Sequence, residues 1–223
     1  MDRNEAKRIA DLISQPRLGP YLAASGGDLE AGLRLYAWNL EASCAFAGAL
    51  QFLEVVLRNA MDSRLATYYG RRDWWNTPHL TLADYARRAL GKAEDATRRR
   101  ARSAADDIVA ELPFGFWVSL LSRRSDYYTQ LWWPALRHEF SGYSNHRPAV
   151  LHNDLDHLCR LRNRVAHCEP IHHRRLLKDF ETLLGVLNFI SPEASQCLKK
   201  FSRIPEVLDR KAGVLNGSLL PRI

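Results

Sequence analysis

Arg162, Asn163 and His167 form an Arg-Asn-x-x-x-His run inside LCRLRNRVAHCEPI, residues 158–171. A histidine titrates near neutrality and can carry a proton as acid or base. A guanidinium can grip a phosphate through two parallel hydrogen bonds, and a carboxamide can orient either group. Together these side chains suit cleavage of a ribose phosphodiester, in which the substrate's own 2′-hydroxyl is the nucleophile. That chemistry needs a proton carrier, an oriented phosphate and stabilised charge, and no metal-binding carboxylate cluster. The competing expectation is structural: a buried ion pair at Arg162, and a histidine in a last helical turn, where it suits the helix dipole.

The run must stand near the end of a helix, because Pro170 cannot continue one. At about 100° per residue, Leu151, Leu155, Leu158 and Val165 share a stripe with Arg162 near its centre. A charge there must be paired or line a cavity, since an unpaired buried charge costs on the order of several kcal/mol. Asp156, Asn163 and His167 fall on the neighbouring face. Arg162 and His167 are separated by about 7.5 Å of rise and about 140° of rotation, so they do not converge on one phosphate within one chain. Two copies facing across a two-fold axis would close a composite cleft, which makes a homodimer the expected state.

A second Arg-Asn pair, Arg58 and Asn59, lies in FLEVVLRNAMD and lacks the histidine. There Phe46, Leu50, Leu53, Leu57 and Met61 form the apolar stripe, Glu54 lies within it, and Arg58 stands at its border. Glu54 is expected to pair with Arg58, with Arg162 or with both, orienting the arginine from behind, with Asp156 as further support. This first pair is then structural.

Apolar residues recur at three- and four-residue steps through most of the chain, which predicts an all-α fold. Helices are expected over 3–14, 28–69 with Asp28 as N-cap, 81–101, 103–111, 126–139, 148–168 and 172–190. Breaks are expected at Pro16, Gly19 and Pro20, over 70–81, and at Pro113 and Gly115. The tail from Ser191 should hold one or two short helices and end in disorder over its last ten residues. The expected organisation is a single domain: an N-terminal helix and loop (1–27), a helical domain (28–190) and a partly flexible tail (191–223).

The chain has 223 residues, 46% of them hydrophobic, and a net charge of +7. A basic surface favours anionic partners, and RNA fits the chemistry above. The stretch RRALGKAEDATRRRARS (87–103) reads either as a phosphate-tracking face, through Arg98, Arg99, Arg100 and Arg102, or as a solvated helix face. His172 is a further candidate contact at the flank of the cleft. Tyr127, Tyr128, Trp132 and Trp133 near Arg137 could stack bases or fill a core. Five histidines and two cysteines lie between 152 and 173, but without metal-ligand spacing, so no metal and no cofactor are expected. The four cysteines read as reduced thiols. The charged N-terminus, and the lack of any run approaching transmembrane length, point to the cytoplasm and away from a membrane.

Three stretches together resemble a known family: LYAWNLEASCAFAGALQFLEVVLRNAMD (35–62), ELPFGFWVSLL (111–121) and LCRLRNRVAHCEPI (158–171). They are similar to the Abi-like (abortive infection) proteins of the HEPN superfamily, over about residues 28–190. The resemblance implies a HEPN-like helical bundle, dimerisation, and metal-independent RNA cleavage centred on Arg162 and His167, with Asn163 as the polar residue after the arginine. It implies products with 2′,3′-cyclic phosphate and 5′-hydroxyl ends, and a role in phage defence or as a toxin. Toxicity would call for an antitoxin or a phage-derived trigger as partner. The family motif often continues His-His-Glu-Pro, whereas here the second position is Cys168. Some HEPN proteins are catalytically silent RNA-binding or protein-interaction modules, which is the alternative function.

Overall fold

The computed structural model describes residues 3–101, 104–123, 126–144 and 147–222, and no strand occurs among the described residues. The all-α expectation holds. Eleven α-helices follow one another among the described residues: α1 (Arg3–Ile13), α2 (Gln15–Ala24), α3 (Leu29–Tyr69), α4 (Asp84–Arg99), α5 (Ala105–Glu111), α6 (Phe114–Ser119), α7 (Pro148–Ala166), α8 (Leu176–Ile190), α9 (Pro192–Phe201), α10 (Ile204–Asp209) and α11 (Lys211–Leu215). Asp28 caps α3 as expected, its Oδ1 accepting from the Ala31 N–H at 2.9 Å.

Several stretches depart from the sequence expectation. Residues 15–24 are helical because Pro16 stands in the first turn, where its missing N–H is no loss. Pro20 interrupts the ladder inside α2, but Leu18 and Tyr21 are fully buried there. The break at Pro113 falls where expected, between α5 and α6, whereas Gly115 lies inside α6. The helix expected over 126–139 is instead a π turn (Tyr128–Trp132) and a 3₁₀ turn (Leu136–His138), with Pro134 between them. The tail carries three helices where one or two were expected, and the Arg222 N–H bonds Glu41 at 2.9 Å. Finally, α3 is by length and composition apolar enough to cross a membrane, with a window of mean hydropathy 1.5, contrary to the expectation that no run comes close. A core helix satisfies the same test, and Trp38, Phe46, Leu53, Leu57 and Met61 of α3 are buried inside the fold.

The chain groups into two compact units, residues 1–50, 161–181 and 201–223 in the first, and 51–160 and 182–200 in the second. In the first unit, Leu18, Tyr21, Trp38, Phe46, Leu161, Ile171, Ile204 and Val214 are buried. Polar side chains then fix how the segments meet. Trp38 Nε1 donates to the Val207 carbonyl at 3.0 Å. The buried Glu41 pairs with Arg210, the two side chains being 2% and 13% exposed. Arg34 Nε donates to the Leu215 carbonyl at 3.0 Å. Asn39, 2% exposed, accepts at its Oδ1 from the N–H groups of Ile171 and His172, at 2.8 and 3.0 Å.

In the second unit, Leu53, Leu57, Met61 and Leu65 of α3 share a core with Phe116 and Trp117 of α6 and with Leu151, Leu155 and Leu158 of α7. Asp62 serves as its polar pin, accepting from Trp74 Nε1 at 2.9 Å and pairing with Arg72 at 3.0 Å. The apolar face of α7 runs on through Leu161, which is fully buried, while Arg162 and Val165 are half-buried. Arg162 therefore stands at the margin of the stripe and not at its centre.

Asn39→Leu should be among the costlier single changes in the first unit. It removes one acceptor from two buried N–H groups, each costing about 1–3 kcal/mol when left unpaired. Urea unfolding should show a loss of about 2–4 kcal/mol; a loss below about 1 kcal/mol would contradict this account of Asn39.

Candidate functional site

The segment that matters chemically is the turn after α7, and its shape follows from how that helix stops. The Glu169 N–H bonds the Arg164 carbonyl at 2.8 Å and the Cys168 N–H bonds the Val165 carbonyl at 3.1 Å, while Cys168 adopts φ +53°. These two bonds and one left-handed residue make a Schellman cap. Its left-handed position usually holds glycine; Cys168 occupies it at the steric cost of a Cβ. The His167 N–H still bonds the Asn163 carbonyl at 2.9 Å, so His167 is held in helical register one turn beyond Asn163. Both side chains are exposed, and Arg162 is half-buried.

Three further residues lock the turn. Arg164 grips the Pro170 carbonyl with two nitrogens, at 3.1 and 2.8 Å, and meets Glu169 at 3.4 Å. Arg17, from α2, donates to the Cys168 carbonyl at 2.7 Å. Asn39 holds the next two N–H groups. Sequence reasoning missed Arg17, Arg164 and Asn39. Arg164 lay in view within the motif, but partners 151 and 132 residues away leave no local signal.

The surroundings are cationic. Lys211 donates to the His172 carbonyl at 2.9 Å and lies 4.6 Å from the centre of the Trp38 ring. Arg174 pairs with the buried Asp179 at 2.8 Å. A hollow of about 570 Å³ next to Trp38 is lined by Arg174, Arg175, Lys178 and Lys211, with Glu181 as its acidic member. Burial lowers the His173 pKa, and Arg164, Arg174 and Lys211 lower it further. Burial likewise pushes the Tyr21 hydroxyl up to about 12, against the opposing pull of Arg17 and Arg164. The positive field around the turn suits an anion.

His172 is a core residue rather than a surface contact for RNA. It is 9% exposed, and its ring lies 4.9 Å from that of Tyr21. Burial, then His173 and Lys211, lower its pKa to about 4, so the ring is neutral at pH 7.

The remaining sequence candidates lie in the second unit. Glu54 and Arg58 are half-buried on α3, and Arg58 donates to Asn59 Oδ1 at 3.3 Å and to the Ala110 carbonyl at 3.5 Å. Asp156 pairs with Arg160 at 2.6 Å. Arg98, Arg99 and Arg100 are exposed at the end of α4, where Arg98 pairs with Asp95 at 3.3 Å and Arg100 with Glu111. Arg102 lies outside the described residues. The aromatic cluster divides: Tyr127 and Trp132 are buried, whereas Tyr128 and Trp133 are half-exposed, with the Arg137 guanidinium 3.8 Å from the centre of the Trp133 ring. The four cysteines are free thiols. Among the described residues no group of three or more His, Cys, Asp or Glu is placed to hold a metal ion. No family model, no curated protein and no solved structure matches this chain.

Cys168→Gly should raise stability by about 1 kcal/mol in urea unfolding, because glycine adopts the left-handed cap without the Cβ penalty; a net loss would contradict the cap. The neutral His172 sets a pH dependence. Its folded pKa of about 4 lies below the ordinary 6.5, so between these values the unfolded chain binds a proton that the folded chain refuses. Its contribution is intact above pH 6.5 and is lost as pH falls toward 4, by roughly 2–3 kcal/mol. His172→Phe keeps the ring contact and should flatten the fall in stability between pH 7 and 4; an unchanged slope would assign the titration elsewhere.

Proposed function

We propose that this protein is a metal-independent endoribonuclease of the HEPN kind, working as a homodimer with Arg162, Asn163 and His167 at a composite cleft. The observation that carries the reading is the exposed His167 on a capped turn, in register with Asn163 and in a cationic surround. Such a group is ready to exchange a proton with a bound phosphodiester, and its fixed backbone supplies the positioning that catalysis needs.

In this reading His167 of one copy takes the proton from the ribose 2′-hydroxyl. The O2′–P bond forms, the P–O5′ bond breaks, and His167 of the second copy gives a proton to the departing O5′. The products are a 2′,3′-cyclic phosphate and a 5′-hydroxyl. Arg162 holds the non-bridging oxygens and offsets their growing charge, and Asn163 orients the phosphate or the imidazole. Glu54, Arg58 and Asp156 support the helices that carry them. The biological setting we infer is abortive infection or a toxin role in the cytoplasm, held in check by an antitoxin or released by a phage-derived trigger.

The test is cleavage of end-labelled RNA in EDTA by the wild type, Arg162→Ala and His167→Ala, each verified as folded. Wild-type cleavage leaving cyclic phosphate ends, reduced about 100-fold or more in His167→Ala, is the expected result. Equal cleavage by all three overturns the assignment. Binding of RNA without cleavage by the wild type would assign a silent RNA-binding module instead.

A further inference from the structure

Three hollows in the second unit meet at one exposed ring. Tyr85, in the first turn of α4, is 44% exposed and borders concavities of about 380, 360 and 490 Å³. The first is floored by Gly115 and walled by His152 and Arg160 of α7. The second follows α4 past Arg88 and Lys92, and the third shares Arg88 and adds Arg87. Tyr85, Arg88 and Lys92 are spaced three and four residues apart, so one face of α4 presents a ring and then two cations.

The charge balance in this trough is positive. Its carboxylates are occupied, Asp84 by Arg87, Asp156 by Arg160 at 2.6 Å, and Glu111 by Arg100. Arg88 and Lys92 are exposed and enter no ion pair among the described residues. A Cβ at Gly115 would come within 2.5 Å of the Tyr85 hydroxyl, so the missing side chain is what lets the phenol lie against α6. An exposed aromatic ring beside uncompensated cations, bordered by three hollows, is what unpaired nucleic acid requires: a stacking platform for a base and anchors for its phosphates. A duplex keeps its bases stacked on one another and offers none to a single ring.

We infer that this trough binds single-stranded RNA, one base stacking on Tyr85 and neighbouring phosphates sitting on Arg88 and Lys92. The choice of RNA rests on the ribonuclease reading above, and the trough supplies that activity with its preference for unpaired substrate. The basic run of α4 therefore acts through its first half, Arg87 to Lys92, and not through the arginines at its end.

The test uses the full chain carrying His167→Ala, so that bound RNA stays intact, with fluorescence anisotropy of a labelled oligouridine in EDTA. A labelled RNA duplex is the second probe. The single strand should bind about tenfold tighter than the duplex, and adding Tyr85→Ala should weaken it by about tenfold, whereas Tyr85→Phe stays within about twofold. Gly115→Ala, which displaces the phenol, should behave like Tyr85→Ala. Arg88→Ala and Lys92→Ala should each flatten the slope of log Kd against log salt by roughly 0.7. The inference is overturned if Tyr85→Ala binds like its parent, if the duplex binds as tightly as the single strand, or if the oligouridine does not bind. Should Tyr85→Ala lose its helical circular dichroism, the two exposed cations decide: unchanged salt slopes overturn the inference. Wild-type cleavage that persists while trough binding fails sinks this inference alone; trough binding without wild-type cleavage sinks the ribonuclease reading alone.

Discussion

The site depends on how α7 ends. A helix leaves its last carbonyls without partners, and here two of them are satisfied by a chain reversal through a left-handed Cys168. Arg164 then ties Pro170 back to the helix, Arg17 takes the Cys168 carbonyl, and Asn39 receives the next two N–H groups. Because every backbone group from Cys168 to His172 that these residues reach is spoken for, the turn has few alternative conformations, and the exposed His167 at its start inherits that fixity. An exposed histidine on a loose loop would spend most of its time away from any bound phosphate.

The same segment separates two kinds of histidine by a short distance in sequence. His172 sits in the core beside Tyr21 and stays neutral through the physiological range. His167 is exposed to solvent. The cations around them serve both. They disfavour a proton on His172 and His173, and they raise the local concentration of anions at the surface. The buried pairs Arg210–Glu41 and Arg174–Asp179 fix the geometry of the first unit without adding net charge to it.

The helices were largely legible in the sequence because their signals are local. Asp28 as cap and Pro170 as stop bracket α3 and α7, and the three- and four-residue recurrence of leucines marks their buried faces. What the sequence hid depends on partners far along the chain. Leu161, not Arg162, completes the buried stripe of α7. Residues 15–24 looked broken by two prolines, yet burying Leu18 and Tyr21 outweighs one missing hydrogen bond. His172 looked like a cleft residue from its neighbours in sequence, and only the packing of Tyr21 against it shows that it is core. The basic stretch 87–103 was visible as charge, but the division of its residues 87–100 into a concave half and a more exposed half comes from α5 and α6 packing on α4 in the second unit.

On the function we propose, Arg162 and His167 act across two copies of the chain. The most direct measurement is the RNA cleavage rate per chain as a function of protein concentration in EDTA, read alongside the mass by sedimentation. The rate per chain should rise with concentration and level off where the dimer is fully formed. A rate per chain that stays constant while the protein is monomeric would contradict it.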